Sequence, residues 1–468
     1  MRPITGTHVY SYVKCPRLAA LDLHLPRSER RPPTEWEEFA AQRGRDFEAS
    51  YVAGLGAVAP RHPERDFAAG AAATRDLLLA GTPLVHQGVL QTEDCLGLPD
   101  LLRRVPGASA LGDHHYEVLD VKTSGRPRGE QILQVVFYSH LLTALQQRAP
   151  SHGALVLKDG REERFVLADY EAAHDRVLAA LRALRAEPTG ARPFLQAGCS
   201  GCYHDQRCLG ELTAAQDLSL VQGMSHGARA ILEALGCRTI ADLASFHPQH
   251  ARERGQLDAA LVRRLRRAAQ AHLLGAPLVE TRPRTERCRD GAIVHLLGDP
   301  FADRVLAFGT LYPAVEGGRF TWTRAADADD EWRAFDELVA ALPERVPLWH
   351  FGEALPRWYE GQVFAREADP ALELRFQALD KRLRGAATYP RPVFGLSDFV
   401  QFGLQRDALR AGHPGAAALW ARGGDGDERL RQKLETDLRD LAELIAAILE
   451  APPTVQADSA EGVATLGL

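Results

Sequence analysis

The sequence predicts a soluble α/β protein of more than one domain, and three observations carry that prediction. Strand-like runs alternate with helical patterns between about residues 85 and 186. A stretch of short helices with glycine turns follows, and strands alternate with helices again from Leu278 onward. At 468 residues the chain exceeds what one hydrophobic core supports. We read three domains, at 1–210, 211–277 and 278–452, followed by a small polar tail at 453–468 that is expected to be poorly ordered. With 45% hydrophobic and 25% charged residues the composition is that of a globular chain, and the glycines and prolines are too scattered for low complexity. The net charge of -6 excludes a chain that is basic throughout, but it leaves room for a local basic groove. No apolar run approaches ~18 residues and no signal-peptide core follows Met1. The expectation is a cytoplasmic protein with no membrane association, whose thiols are reduced and available as ligands.

Taken in order, Cys15 stands just before a helix start, with Pro16 at the first helical position, where its missing N–H costs nothing. Alone, Cys15 reads as a small buried hydrophobe. The later run Cys199-Ser-Gly-Cys202-Tyr-His-Asp-Gln-Arg-Cys208 changes that reading. Three thiols do not complete a metal or cluster site, and Cys15 is the candidate fourth. Residues 35–55 form a helical pattern whose charged face includes Glu37, Glu38, Arg43, Arg45 and Glu48. The plain reading is a solvated face, but Gly44-x-x-x-Glu48 also puts a carboxylate on a helix able to pack against a sheet.

Val85-His-Gln-Gly88 and Gly97-Leu-Pro-Asp100 precede a strand over residues 116–121. Alternation places Asp120 and Lys122 on one face of that strand, an arrangement suited to holding a divalent cation and positioning a water beside it. A helix over residues 130–147 carries Gln134 and Tyr138 on a shared face. Residues 153–167 read as a hairpin about Asp159-Gly160, and a helix over 170–186 leads to the cysteine run.

Beyond Cys208, short helices around Gly223, Gly227 and Gly236 look like a helix-hairpin-helix unit, whose backbone amides can bind a phosphate. Ser225 stands where the second hairpin glycine is expected. Between Arg252 and Arg267 lie six arginines against Glu253 and Asp258. This is the best local basic patch, and it reads equally as a nucleic-acid-facing surface or a solvated helix face. Strands are predicted at 292–297, 304–312 and 320–323, and helices at 331–342 and 427–449.

Together, Cys15-Pro16-Arg17, Gly44-x-x-x-Glu48, Gly97-Leu-Pro-Asp100, Asp120-Val-Lys122, Gln134-x-x-x-Tyr138 and the cysteine run resemble the RecB-type branch of the PD-(D/E)XK nucleases. The likeness is to the iron–sulfur members, which include the CRISPR-associated spacer-acquisition exonucleases and the AddB nuclease domain, and it covers residues 1–210. With the remainder it extends to stand-alone RecB-like nucleases that carry a helix-hairpin-helix linker and an RNase-H-like domain. The resemblance implies a restriction-endonuclease-like mixed sheet flanked by helices, with Asp100 and Asp120 binding Mg²⁺ or Mn²⁺ and Lys122 positioning or activating the attacking water. Gln134 and Tyr138 would support the metal ligands or the DNA backbone. Cys15, Cys199, Cys202 and Cys208 would hold a [4Fe-4S] cluster, with structural zinc as the alternative.

The implied activity is that of a metal-dependent nuclease, a DNA exonuclease first, with DNA ahead of RNA as partner. No Gly-x-x-x-x-Gly-Lys-Ser/Thr motif is present, so unwinding would fall to a helicase or another repair or defence protein. The alternative is a non-catalytic nucleic-acid-binding or adaptor protein of repair or defence.

Two departures qualify the likeness. Many relatives carry a histidine where this chain has Glu48, a carboxylate that a hard cation accepts. In the C-terminal domain, His295 and Leu297 occupy the positions of the first two acids, ahead of Gly298-Asp299-Pro300, while Asp380 and Asp437 match the third and fourth. That domain is therefore expected to be catalytically degenerate. Cys95, Cys237 and Cys288 read as packing residues.

Overall fold

The computed structural model describes residues 2–247, 257–279, 288–366, 370–406, 417–422, 424–450 and 452. The chain is mixed α/β and divides into two compact units, Met1–Pro193 with Gly198–Arg207, and Phe194–Ala197 with Cys208–Leu468. The helical segment and the C-terminal α/β segment thus belong to one unit. The expectations for the tail at 453–468 and for Arg252 and Arg254 lie outside the described residues. Among the described residues, no helix is long and apolar enough to cross a membrane.

In the first unit a five-stranded sheet runs in the order Leu84–His86, Leu101–Ser109, Gly112–Val121, His152–Val156, Glu162–Val166. Gly112–Val121 and His152–Val156 are parallel. Parallel neighbours need a crossover, and the helix Gly129–Gln146 supplies it. The hairpin anticipated at Asp159-Gly160 forms, with Gly160 at φ +79°, where glycine bears no steric penalty. Strand alternation sorts the apolar residues. Leu101, Leu119, Val121 and Val156 pack against Phe47, Tyr51 and Val52 of the helix Glu35–Ala53. Leu102, Val118 and Leu155 join Val135, Phe137 and Leu141 of the crossover helix in the main core. Full burial of each such side chain contributes about 1.5–3 kcal/mol, so the sheet is held between two helices.

The helix Glu35–Ala53 begins with a capping box, in which Thr34 accepts from the Glu37 amide and Glu37 reaches back to the Thr34 amide. Arg31 grips Glu37 through two bonds of 2.7 Å. That grip holds the Glu37 carboxyl down at about 2, from an ordinary 4.5. A carboxyl depressed in the folded state adds stability above its unfolded pKa, and that stability is lost as pH falls through the folded one. Glu37→Gln is therefore expected to be less stable than the parent by about 1–2 kcal/mol at pH 7. The gap should close between pH 4.5 and about 2. Thermal melts of both proteins across that range check this.

In the second unit the sheet order is Arg319–Arg324, Arg304–Tyr312, Ala292–Asp299, Leu348–His350, Phe376–Ala378. Its first three strands in sequence are antiparallel and the last two join in parallel. The helix Glu331–Ala340 packs Ala334, Phe335 and Leu338 on one face. The helix Gly426–Leu444 packs Leu430, Leu434, Leu438 and Leu441 on the other. The short helices His226–Ala234 and Ile240–Ser245 turn about Gly236, at φ +88°. Ser225 caps the first of them by accepting from the Ala228 amide at 3.1 Å, which explains a serine at that position.

Candidate functional site

Strand register creates the site. Leu101 pairs with Leu119 in the antiparallel ladder. The next residues outward, Asp100 and Asp120, therefore meet at the end of the two strands. The Val121 amide donates to Asp100 Oδ2 at 2.7 Å, and the Asp100 amide donates to Asp120 Oδ1 at 3.3 Å. Lys122 Nζ lies 2.6 Å from Asp120 Oδ2, on the side that strand alternation predicts. Asp120 is 1% exposed.

Burial pushes the Asp100 carboxyl well above the usual carboxylate range, and the charges of Asp120 and Glu48 push the same way. Burial works against the Lys122 ammonium, but Asp120 and Asp100 outweigh it and hold it above the ordinary lysine value. The site thus crowds acids around one fixed cation.

Tyr138, on the crossover helix, is within electrostatic reach of Asp120 and Asp100. Burial raises its hydroxyl well above the ordinary value, Asp120 adds to that, and the hydroxyl accepts from Gln134 Nε2 at 3.0 Å. Its own proton is left available for an anionic oxygen. Two glycines make room for the ring. A Cβ at Gly6 would overlap the Tyr138 hydroxyl, and one at Gly97 would lie 2.9 Å from Tyr138 Cδ1.

Glu48, next to the sheet-packing Phe47, turns to the end of the edge strand. Its Oε1 receives both His86 Nε2 and Gln87 Nε2, each at 3.0 Å. The structure therefore draws Glu48, Asp100, Asp120, Lys122, Gln134 and Tyr138 to one end of the first sheet.

Among the described residues, no three His, Cys, Asp or Glu side chains already surround a common ion position. The donor chemistry nonetheless fits a hard divalent cation. Asp120 Oδ2 is buried with the Lys122 ammonium against it, and Asp100 is crowded by two further carboxylates. A divalent ion relieves that crowding, and so does loss of a charge. Asp100→Asn is expected to raise stability in EDTA at pH 8 by about 1 kcal/mol, or about 2–4 °C in Tm. A melt at or below the parental Tm would count against mutual repulsion.

Of the four cysteines, Cys15, Cys199 and Cys202 belong to the first unit, while Cys208, within the helix Asp205–Ala214, belongs to the second. Cys15 directly precedes the helix Pro16–His24, as expected. Burial raises the Cys202 thiol, and the neighbouring Cys199 and Cys15 raise it further. Cys199 and Cys15 are thus each within electrostatic reach of Cys202. A buried knot beside them is not legible in the sequence. Asp22 accepts from Arg30 at 2.6 Å and faces His204 Nε2 at 3.3 Å. The His204 amide in turn donates to Cys202 Sγ at 3.5 Å. Cys95, Cys237 and Cys288 are buried in apolar cores.

In the second unit, Asp437 faces His295 Nε2 at 3.4 Å and pairs with Lys433. Burial alone would raise the Asp437 carboxyl, but His295 and then Lys433 outweigh it and hold it below the ordinary value. His295, Asp299, Lys433 and Asp437 line a cavity of about 990 Å³. Leu297 lines it too, and Asp299 spends Oδ1 on the amides of Phe301 and Ala302. Asp380 accepts from the Gly352 amide at 3.3 Å. On the helix Ala259–Leu274, Arg263 and Arg264 are exposed, while Arg266 donates to the Ala244 carbonyl.

Sequence reasoning missed His86 and Gln87 as partners of Glu48, and it missed Asp22. The Val85-His-Gln-Gly88 run stood out, but nothing local tied it to a helix 38 residues earlier. No family model matches the chain, and no curated protein matches it in sequence.

Proposed function

We propose that this protein is a metal-dependent nuclease that hydrolyses phosphodiester bonds, DNA ends first, at a PD-(D/E)XK-type site in its first unit. The observation that carries the reading is the meeting of Asp100, Asp120 and Lys122 at one strand end, with the acids crowded and the ammonium held charged. Asp100, Asp120 and Glu48 would hold Mg²⁺ or Mn²⁺. When bound, such an ion supplies neutralisation of charge on the phosphoryl oxygens and acidification of water. Lys122 offers its ammonium to a non-bridging oxygen or to the incoming hydroxide. Tyr138, bonded to Gln134 and seated between Gly6 and Gly97, would offer its hydroxyl proton to a phosphate or carboxylate oxygen.

The cofactor reading is a structural [4Fe-4S] cluster on Cys15, Cys199, Cys202 and Cys208, with zinc as the competing chemistry. It is supported by the motif spacing and by the electrostatic reach of Cys15 and Cys199 to Cys202. Anaerobic purification with a visible spectrum and iron and sulfide analysis separates the two. A colourless zinc protein would refute the cluster.

The second unit is read as an RNase-H-like domain without catalysis. Its Asp437 faces His295 and pairs with Lys433, and with His295 and Leu297 standing where acids would be, too few carboxylates remain for a two-metal site. The same loss extended to the first unit gives the competing reading, in which the whole chain binds nucleic acid without cutting it. Nuclease assays on labelled single- and double-stranded DNA decide between the two.

A further inference from the structure

The cavity of about 990 Å³ in the second unit has a wall that the missing acids do not account for. The helix Ala354–Arg366 supplies it with Arg357, Trp358, Gly361 and Gln362. Arg357 with Gly361 and Trp358 with Gln362 are each four apart, so the four residues form two adjoining rows on one helix face. Glu331 and Phe308 hold Trp358 in place. Its Nε1 donates to Glu331 Oε2 at 2.6 Å, and its ring packs on Phe308 with centroids 4.7 Å apart. Gly361 leaves its part of the wall open, because a Cβ there would meet nothing within 4 Å. Phe351 and Trp420, both partly buried, also line the cavity.

The polar groups of this wall are unequally engaged. The carboxylates are committed: Glu331 also accepts from the Val305 amide at 2.7 Å, Glu353 pairs with Lys381 at 3.2 Å, and Asp437 takes His295 and Lys433. Gln362 Oε1, in contrast, is buried without a hydrogen-bond partner among the described residues. A buried acceptor left unmet beside a cavity calls for a donor from a ligand. Arg357 is exposed, and among the described residues no carboxylate lies within salt-bridge distance of it.

Aromatic walls, one amide edge and one cation are the groups that recognise a nucleotide, through its ring, the polar edge of its base and its phosphate. We propose that this cavity binds a nucleoside monophosphate, free or as the end of a strand, without a metal ion. The base lies against Trp358 with Gln362 at its edge, and Arg357 meets the phosphate. The inference goes beyond the nuclease reading and does not rest on it, since it needs neither the cation centre of the first unit nor cleavage.

The test is calorimetric titration of the full chain with dAMP in EDTA. Adenine presents a donor and an acceptor side by side to a glutamine amide, which makes dAMP the probe. Deoxyadenosine should bind about tenfold more weakly, for want of the charge-assisted contact to Arg357. Arg357→Ala should weaken dAMP binding about tenfold and erase its advantage over deoxyadenosine. Gly361→Leu, which fills open space and favours the helix, should weaken both ligands about tenfold or more. Both substitutions are at exposed positions, and thermal melts check that the fold is kept. Displacement of dAMP by a linear oligonucleotide, but not by a circular one of the same sequence, assigns the site to a strand end. Displacement by neither assigns it to the free nucleotide. No dAMP binding by the parent, parental dAMP affinity in folded Arg357→Ala and Gly361→Leu, or equal displacement by line and circle would overturn the proposal. Retained dAMP binding in a chain that cuts no DNA would strike the nuclease reading alone.

Discussion

Lys122→Ala is expected to slow metal-dependent DNA cleavage by about 10²–10³-fold, the usual loss when one preorganised charge is removed from a reacting centre. The same substitution strands Asp120, which is 1% exposed and whose Oδ2 faces no other cation among the described residues. Breaking a buried pair from one side costs about 3–5 kcal/mol, so lost activity alone would not separate chemistry from unfolding. The double variant Lys122→Ala/Asp120→Asn removes the stranded charge. It should recover most of the stability and none of the activity. Cleavage by folded Lys122→Ala at the parental rate would remove Lys122 from the chemistry.

Asp22→Ala is expected to destabilise the first unit by about 3 kcal/mol, lowering its Tm by about 6–12 °C. Asp22 sits where Arg30, His204 and Ser11 converge, and its side chain is 5% exposed. Alanine would leave the Arg30 guanidinium without its carboxylate and the His204 ring, 1% exposed, without a polar partner on Nε2. Because the His204 amide is bonded to Cys202 Sγ, the cysteine segment should loosen with it. Limited proteolysis should show earlier cutting near residues 199–208. A cost below about 1 kcal/mol would mean that the knot contributes little.

Local pattern accounts for much of the fold and for the centre of the site. The period-two run at residues 116–121, the helical periods at 35–55 and 130–147 and the Asp159-Gly160 turn all correspond to elements near those bounds. Asp120 and Lys122 were legible because strand alternation is a local rule. Asp100 joined them through its motif, and the register of Leu101 with Leu119 is the physical reason.

The features that escaped are pairings across long separations. Glu48 meets His86 only because an edge strand ends where it does and Gln87 takes a left-handed turn. Asp22 and His204 are 182 residues apart. In the second unit the missing acids at His295 and Leu297 could be read from the sequence. Lys433 and Asp437, four apart on one helix, were also within reach of a local rule, whereas the approach of His295 to Asp437 from a distant strand was not.

The central claim is that Asp100, Asp120 and Lys122 form a hydrolytic metal centre. Its most direct test is incubation of the full chain with end-labelled single- and double-stranded DNA, with Mn²⁺ or Mg²⁺ and with EDTA, beside Asp120→Asn. The account predicts cleavage that requires the ion and disappears in Asp120→Asn while DNA binding persists. DNA binding with no cleavage under any ion, or cleavage unaffected by EDTA and by Asp120→Asn, would contradict it.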